Sequence, residues 1–346
     1  MLRDKRVLVT GGTGSIGNVL VRRLLSGEVG LPSEIVVFSR DEAKQHSMRL
    51  ALDHREVATD DVIYEQRGRV RFQIGDVADY RAVSPAVRNA DVIFHAAALK
   101  QVPTCEYFPL EAVRTNVLGA DNIVRAIQES DSPVNVVVGI STDKACKPVN
   151  VMGMTKALQE RLLVRANVDC PRTRFVVARY GNVLASRGSA IPLFHDQIRK
   201  GGPLTLTTKE MTRFLMSLDQ AVDTIFAACA HAAAGETYVL RVPSAHMVDI
   251  AAALIGERQI DMVSTGIRPG EKVHEILVSE EESPRTVRRG EYLVIKPILP
   301  QLRAATGDQP YDEIERSSAH DALTRAEVEG LLRKHRLMIE DSPLFL

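Results

Sequence analysis

Seven residues near the N-terminus, Gly11-Gly-Thr-Gly-Ser-Ile-Gly17, restrict the possible folds more than any other stretch of this chain. They follow a short β-branched run, Arg6-Val-Leu-Val-Thr10, and lead into Ile16, Leu20 and Leu24, which recur at helical spacing. A strand that ends in a glycine turn and continues as a helix lets the backbone approach a pyrophosphate, which then rests on the helix N-terminus. Gly12, Gly14 and Gly17 fit one spacing of the dinucleotide motif; Gly11, Gly14 and Gly17 fit another. Either way Gly11, Thr13, Gly14, Ser15, Ile16 and Gly17 are expected to hold a cofactor.

The chain continues in the same manner. Glu34-Ile-Val-Val-Phe38 reads as a second strand, followed by Ser39-Arg40-Asp41-Glu42. An acidic residue just after this strand would bond the ribose 2′-hydroxyl of NAD. Here the first charged residue is Arg40, with Lys44 a turn later, and a guanidinium suits a 2′-phosphate. Ser39, Arg40 and Lys44 therefore point to NADP, while Asp41 keeps NAD open. A third strand, Val70 to Ile74, ends in Gly75-Asp76-Val77, where Asp76 could accept a bond from the adenine amine. Asp91-Val-Ile-Phe94 is a fourth, followed by His95-Ala-Ala-Ala98. Ala96 and Ala97 are small enough to let the chain pass close under a cofactor, and His95 reads as structural. Val134 to Ile140 and Arg174 to Ala178 supply the fifth and sixth strands.

Strands alternating with helical patterns give an α/β fold, a Rossmann-type doubly wound parallel sheet. Residues 1–180 are expected to form the NADP-binding domain, with a returning segment near 212–245. Beyond Arg179 the alternation breaks down, so 181–300 are expected to form mainly a smaller, interleaved substrate-binding lobe. Residues 301–346 read as a tail in which Thr324-Arg-Ala-Glu327 is a capping box before a terminal helix. Residues from about 56 to 68 read as a polar surface insertion.

Basic and acidic residues number 44 each, so no global field would hold nucleic acid or an anionic membrane. No apolar run has the length of a bilayer span, and Met1-Leu-Arg-Asp-Lys-Arg6 runs straight into a strand rather than reading as a signal peptide. Cys105, Cys146, Cys170 and Cys229 show no C-x-x-C spacing, which argues against a zinc site and a disulfide framework. A cytoplasmic protein without a metal is the expectation.

Chemistry is expected where the fifth strand ends, because ligands of open α/β sheets bind beyond the carboxyl ends of the strands. Thr142, Asp143 and Lys144 follow that strand. Met152 and Lys156 come next, four residues apart and so on one helix face. Lys100 could reach the same cleft.

The glycine turn, the Ala96-Ala97 pair and Lys156 on a helix resemble the extended short-chain dehydrogenases/reductases. That family carries a tyrosine four residues before the lysine. This chain has Met152 there, and a thioether cannot transfer a proton. Thr142-Asp-Lys-Ala145, Arg179-Tyr-Gly-Asn182, Ser186-Arg-Gly-Ser189, Met211-Thr-Arg-Phe214 and Arg268-Pro-Gly-Glu-Lys272 narrow the likeness. Together they resemble the soluble UDP-N-acetylglucosamine 4,6-dehydratases of bacterial surface-polysaccharide synthesis, in particular the capsule-type, C5-inverting members. The resemblance runs from about Lys5 to about Val278.

It implies oxidation at C4 of the sugar, removal of the C5 proton, loss of water from C6 and hydride return to C6. Lys144 would be the C5 base, Asp143 the proton donor to C6, and Thr142 the holder of the C4 oxygen. Lys156 would bond the nicotinamide ribose. For UDP-N-acetylglucosamine or a related UDP-sugar it implies Lys100, Asn182, Arg187, Ser189, Arg213, Arg268 and Glu271 as contacts, and it implies a homo-oligomer. As a base Lys144 must be neutral part of the time, so desolvation and the charges of Lys156 and the oxidised nicotinamide are expected to lower its pKa. Two rival readings stand: a UDP-sugar 4-epimerase, which needs no base at C5, and a non-catalytic NADP(H)-binding sensor or scaffold, which the missing tyrosine favours.

Overall fold

The computed structural model describes residues 1–52, 68–131, 133–184, 189–304 and 307–341. All of the polar insertion except Gly68 lies outside the described residues, as does Arg187.

The first six strands are β1 (Arg6–Thr10), β2 (Glu34–Ser39), β3 (Val70–Ile74), β4 (Val92–His95), β5 (Val136–Thr142) and β6 (Arg174–Tyr180). The next four are β7 (Leu204–Leu206), β8 (Thr212–Phe214), β9 (Thr237–Leu240) and β10 (Ser244–His246). β11 (Met262–Ser264), β12 (Ile276–Val278), β13 (Thr286–Arg289) and β14 (Tyr292–Ile295) follow, then the two-residue strands β15 (Gln309–Pro310), β16 (Arg316–Ser317) and β17 (Ala322–Leu323). Among the described residues, ten of these form one sheet in the order β15-β13-β14-β9-β6-β5-β4-β1-β2-β3. From β3 to β9 every pairing is parallel, and β14, β13 and β15 complete the sheet antiparallel.

Side chains alternate across this sheet and build two cores. Val7 and Val9 of β1 pack under α1 (Ser15–Ser26), together with Ile225 from a later helix, while Leu8 faces the other side. α2 (Glu42–Leu52) joins the first layer through Met48. The second layer is α3 (Tyr80–Arg88), the short α4 (Val102–Tyr107) and α5 (Pro109–Ala112), α6 (Gly119–Gln128) and α7 (Val151–Asp169). A π-helical turn, Val113–Leu118, joins α5 to α6 and contains the buried Asn116. Because both faces of the central strands are covered, β5 is buried along nearly its whole length, as the apolar run predicts.

A third core belongs to the smaller lobe. It gathers Phe194 of α8 (Ala190–Arg199), Leu254 of α10 (Met247–Ile255), and Val328 and Leu332 of α11 (Arg325–Lys334). The helix between them, α9 (Leu218–His231), returns to the main sheet and lies on its first face, supplying Ile225. The capping box of α11 is present: Thr324 accepts from the Glu327 backbone, and Glu327 Oε2 accepts from Thr324 N at 2.8 Å.

The main sheet is wider than the sequence reading has it. β13 and β14 fall within 181–300, yet they extend the cofactor-domain sheet by pairing with the open edge of β9. A four-residue apolar run such as Tyr292-Leu-Val-Ile295 carries no mark of which edge it will join; partner choice is a tertiary decision.

One buried ionic node ties these layers together below the cleft. Arg179, 2 % exposed at the end of β6, donates to Glu160 of α7 at 2.6 Å and to Glu282 at 2.7 and 2.9 Å. It also reaches the Leu277 carbonyl at 2.9 Å, and Ser141 Oγ donates to Glu160 at 2.6 Å. Burial pushes the Glu282 carboxyl up, but the Arg179 charge outweighs it and brings it down to about 2. Arg179→Ala leaves two buried carboxylates without their cation, so it should lower unfolding free energy by about 3–5 kcal/mol in urea titration. A loss under about 1 kcal/mol would mean that the node is not structural.

Candidate active site

The carboxyl ends of β1, β2, β4, β5 and β6 open into a cleft of ≈ 1150 Å³ roofed by the smaller lobe. This volume exceeds that of an ordinary small-ligand pocket and leaves room for two ligands end to end.

At one end lies the glycine turn. Gly11 has φ +68, and a Cβ there would stand 2.6 Å from Ala97 N and 2.8 Å from Ala96 C. Only glycine fits, and the small Ala96 and Ala97 allow the approach. Gly14 puts no side-chain cap on α1, so the helix start faces the cleft with Gly14, Ser15 and Ile16 in its wall. This is the cradle that a pyrophosphate needs. Thr13 Oγ1 lies 3.2 Å from Ser39 Oγ, and Val77 closes the far wall. At the rim Arg40 pairs with Asp76 at 3.2 Å and Lys44 with Asp41 at 2.5 Å, so both candidate 2′-phosphate ligands already face carboxylates. The residues present fit a nicotinamide dinucleotide.

The catalytic candidates sit deeper. β5 runs two residues further than its apolar run, so Thr142 is its last residue and Asp143 and Lys144 turn directly off its end. Thr142 Oγ1 donates to Asp143 Oδ1 at 3.0 Å, and Lys144 Nζ donates to the same oxygen at 3.0 Å. Asp143 is 0 % exposed, and its Oδ2 is buried without a partner. Lys144 also meets Glu275 Oε1 at 3.0 Å. The turn packs this closely because α7 carries Gly153, where a Cβ would lie 2.2 Å from the Lys144 carbonyl oxygen.

Electrostatics here depart from the sequence expectation. Burial does push the Lys144 ammonium down, but the carboxylates of Asp143 and Glu275 overcome it and its pKa is raised, not lowered. Asp143 is pushed up by burial, drawn back by Lys144, and pushed up again by Glu275, with a net rise. Glu275 is itself held ionised: Lys144 and Arg213 outweigh its burial.

Lys156 shares the buried face of α7 with Met152. Its Nζ donates to the Ile140 carbonyl at 2.5 Å and to Gln159 Oε1 at 2.6 Å, and burial brings its pKa down to about 8. His95 is fully buried, bonds Thr10 through Nδ1 at 2.8 Å, and is kept neutral by burial, which brings it down to about 3. That is the structural role its sequence position suggests.

In the outer part, Asn182 Oδ1 and Ser189 Oγ are buried without partners and line the cleft. Arg268 and Lys100 are exposed on its walls. Glu271 accepts from Thr207 Oγ1 at 3.4 Å. Arg213 spends one nitrogen on the carbonyls of Thr212 and Val273, at 2.7 and 3.1 Å, and its Nε stands 4.0 Å from Glu275. The cleft thus gathers every candidate within the described residues. Glu275 and Gly153 are the two that sequence reasoning misses: Glu275 stands three residues beyond the Arg268-to-Lys272 motif with no spacing to mark it.

The family model described as polysaccharide biosynthesis protein matches residues 7–297. A relative from Rickettsia bellii named UDP-glucose 4-epimerase is 44% identical over 300 residues, 84% of this chain and 83% of its own length. The crystal structure of Pen from Bacillus thuringiensis superposes with a TM-score of 0.87 and 32% identity, covering 98% of this chain and 99% of that one. The tail that the sequence resemblance leaves unmatched is therefore shared. DesIV, a dTDP-glucose 4,6-dehydratase from Streptomyces venezuelae solved with NAD and TYD, has a TM-score of 0.65 at 24% identity over 78% of this chain and 86% of its own, which shows a common fold.

Lys156 yields a prediction for the cofactor-free protein. Its folded pKa of about 8 lies below the unfolded 10.5, so its ammonium opposes folding fully below the folded value and less as pH rises toward the unfolded one. Lys156→Met removes that dependence. The stability of wild type relative to the variant should rise by roughly 3 kcal/mol from neutral pH to above pH ~10, whatever the constant offset. Parallel stability–pH curves would contradict it.

Proposed function

The chain belongs to the polysaccharide biosynthesis protein family, a group of extended short-chain dehydrogenases/reductases that dehydrate or epimerise nucleotide sugars, and on that premise we propose that it is a C5-inverting UDP-N-acetylglucosamine 4,6-dehydratase that uses NADP. The observation that carries this reading is the 3.0 Å contact between the buried Asp143 carboxylate and the half-buried Lys144 amine, at the end of β5 and inside the cleft. Elimination next to a ketone needs a base and an acid on neighbouring atoms. A proton passed along this one hydrogen bond, from ammonium to carboxylate, makes both at once. The C4 hydroxyl proton goes to water, since Met152 cannot take it. The Lys144 amine then takes the C5 proton, and the Asp143 carboxylic acid gives its proton to the C6 hydroxyl, which leaves as water. As hydride reaches C6, Lys144 returns a proton to C5 and regains one from solvent. Thr142 steers Asp143 Oδ1, and the unpartnered Oδ2 is free to face the leaving group.

A bound nicotinamide dinucleotide supplies the hydride acceptor for C4 and the donor for C6. Lys156, held by Ile140 and Gln159 in the cleft wall, would bond its ribose, and Arg40 supports a 2′-phosphate and hence NADP. Residues up to 180 would carry the cofactor and the lobe after 181 the UDP-sugar. Asn182, Ser189, Arg213, Arg268 and Glu271 offer the polar contacts there, with Arg187 assigned by motif alone. The four free, buried cysteines support a cytoplasmic setting, and exposed Leu118, Met154 and Leu158 beside Tyr107, Phe108 and Leu110 support a homo-oligomer.

The 4-epimerase reading is favoured by the name of the Rickettsia relative. Epimerisation shares the oxidation at C4, with its hydroxyl proton to be taken up, but needs no base at C5 and no acid at C6, so the adjacent Asp143 and Lys144 favour dehydration.

Incubation with UDP-N-acetylglucosamine in deuterated water, read by NMR, decides between them. The expected product is a 4-keto-6-deoxy sugar with deuterium at C5. UDP-N-acetylgalactosamine alone would establish the epimerase, and cofactor binding without turnover the sensor. Lys144→Ala should slow C5 exchange by about 10²–10⁴-fold while NADP stays bound. Exchange at the wild-type rate would remove Lys144 as the base. Arg40→Ala should weaken NADP by roughly tenfold or more while sparing NAD; equal losses would overturn the choice of cofactor.

A further inference from the structure

The acid–base pair has a third member from far along the chain. Glu275, one residue before β12, is 1 % exposed, holds Lys144 Nζ at 3.0 Å through Oε1, and has its Oε2 buried without a partner in the cleft wall. The charged groups facing it are Asp143 and Lys144 from the turn after β5, Arg213 of β8, and Lys272 from the preceding loop, whose Nζ donates to the Cys146 carbonyl at 2.6 Å. His274 is turned away, 2.8 Å from Thr212 Oγ1. The backbone of Glu275 is clamped by the C-terminal segment. Glu275 N donates to Ser318 Oγ at 2.9 Å, Ser318 N donates to the Glu275 carbonyl at 2.8 Å, and Ser318 Oγ lies 2.7 Å from Thr212 Oγ1.

We propose that Glu275 is a positioning residue for the Asp143–Lys144 pair, fixing the ammonium between two carboxylates and setting how many protons the pair holds at neutral pH. What concerns turnover in this proposal rests on the dehydratase reading. The reason is Coulombic. A buried negative charge beside both partners favours the protonated form of each. The working pair holds one mobile proton, on Lys144 at rest and on Asp143 after transfer. Glu275 keeps that proton from being lost on the alkaline side, and lets a second one bind earlier on the acid side. Removing its charge must move both limits toward lower pH. Glutamine at this position retains an oxygen to accept from Lys144 and loses only the charge.

The test uses the NADP-loaded protein labelled with ¹³C at the lysine ε-carbons, the Lys144 signal being identified by its absence in Lys144→Arg. Glu275→Gln should lower the Lys144 titration midpoint by about one to three pH units, and Glu275→Asp, with its charge withdrawn but kept, by less. An unchanged midpoint in the glutamine variant overturns the proposal whatever reaction the protein catalyses. If that variant does not fold, the aspartate variant decides by the same titration. C5 exchange supplies the second readout: both limbs of its pH profile should shift to lower pH in Glu275→Gln. A profile lowered throughout with its limbs in place would mean a merely architectural residue, and would also overturn it. A wild-type protein that exchanges no C5 proton refutes the dehydratase reading alone, and the titration still decides Glu275.

Discussion

The ammonium of Lys144 stands between two buried carboxylates, and much of the architecture serves to hold it there. Asp143 and Glu275 are buried, and a carboxylate at that depth needs a cation to stay ionised. Lys144 stabilises the charge of both carboxylates while Glu275 opposes that of Asp143, and the three leave two carboxylate oxygens, Asp143 Oδ2 and Glu275 Oε2, without partners. Both residues line the cleft, where a ligand could reach these oxygens.

The support for this arrangement reaches outward in layers. Gly153 lets α7 press against the Lys144 carbonyl, Arg179 joins β6, α7 and the 277–282 segment beneath it, and Ser318 holds the Glu275 backbone from the far side. The C-terminal segment, which shows no chemistry of its own in the sequence, thus becomes part of the site's frame. If the pair passes a proton as proposed, it needs this rigidity, because small displacements would separate the two groups.

The cofactor end follows a different logic. There the chain removes side chains rather than placing them. Gly11 presses onto Ala96 and Ala97, and the uncapped start of α1 offers backbone dipoles in place of charged groups. At the rim Arg40 and Asp76 form an exposed ion pair. One end of the cleft is therefore shaped by backbone, and the other is lined by charged side chains.

Local pattern determined a good deal. The alternation of strand and helix, the glycine turn into α1, the adjacent Asp143 and Lys144 on the turn after β5 and the capping box of α11 are set by residues close in the chain, which leave periodicities and spacings in the sequence. Tertiary structure decided the rest. It set the edge that β13 and β14 join, the direction in which the Lys144 pKa moves, and the arrival of Glu275 beside a lysine 131 positions earlier. These depend on which distant groups are brought within a few ångströms, where charge and pairing energies are strongest, and a distance in space between remote residues is not written in any local run of the chain.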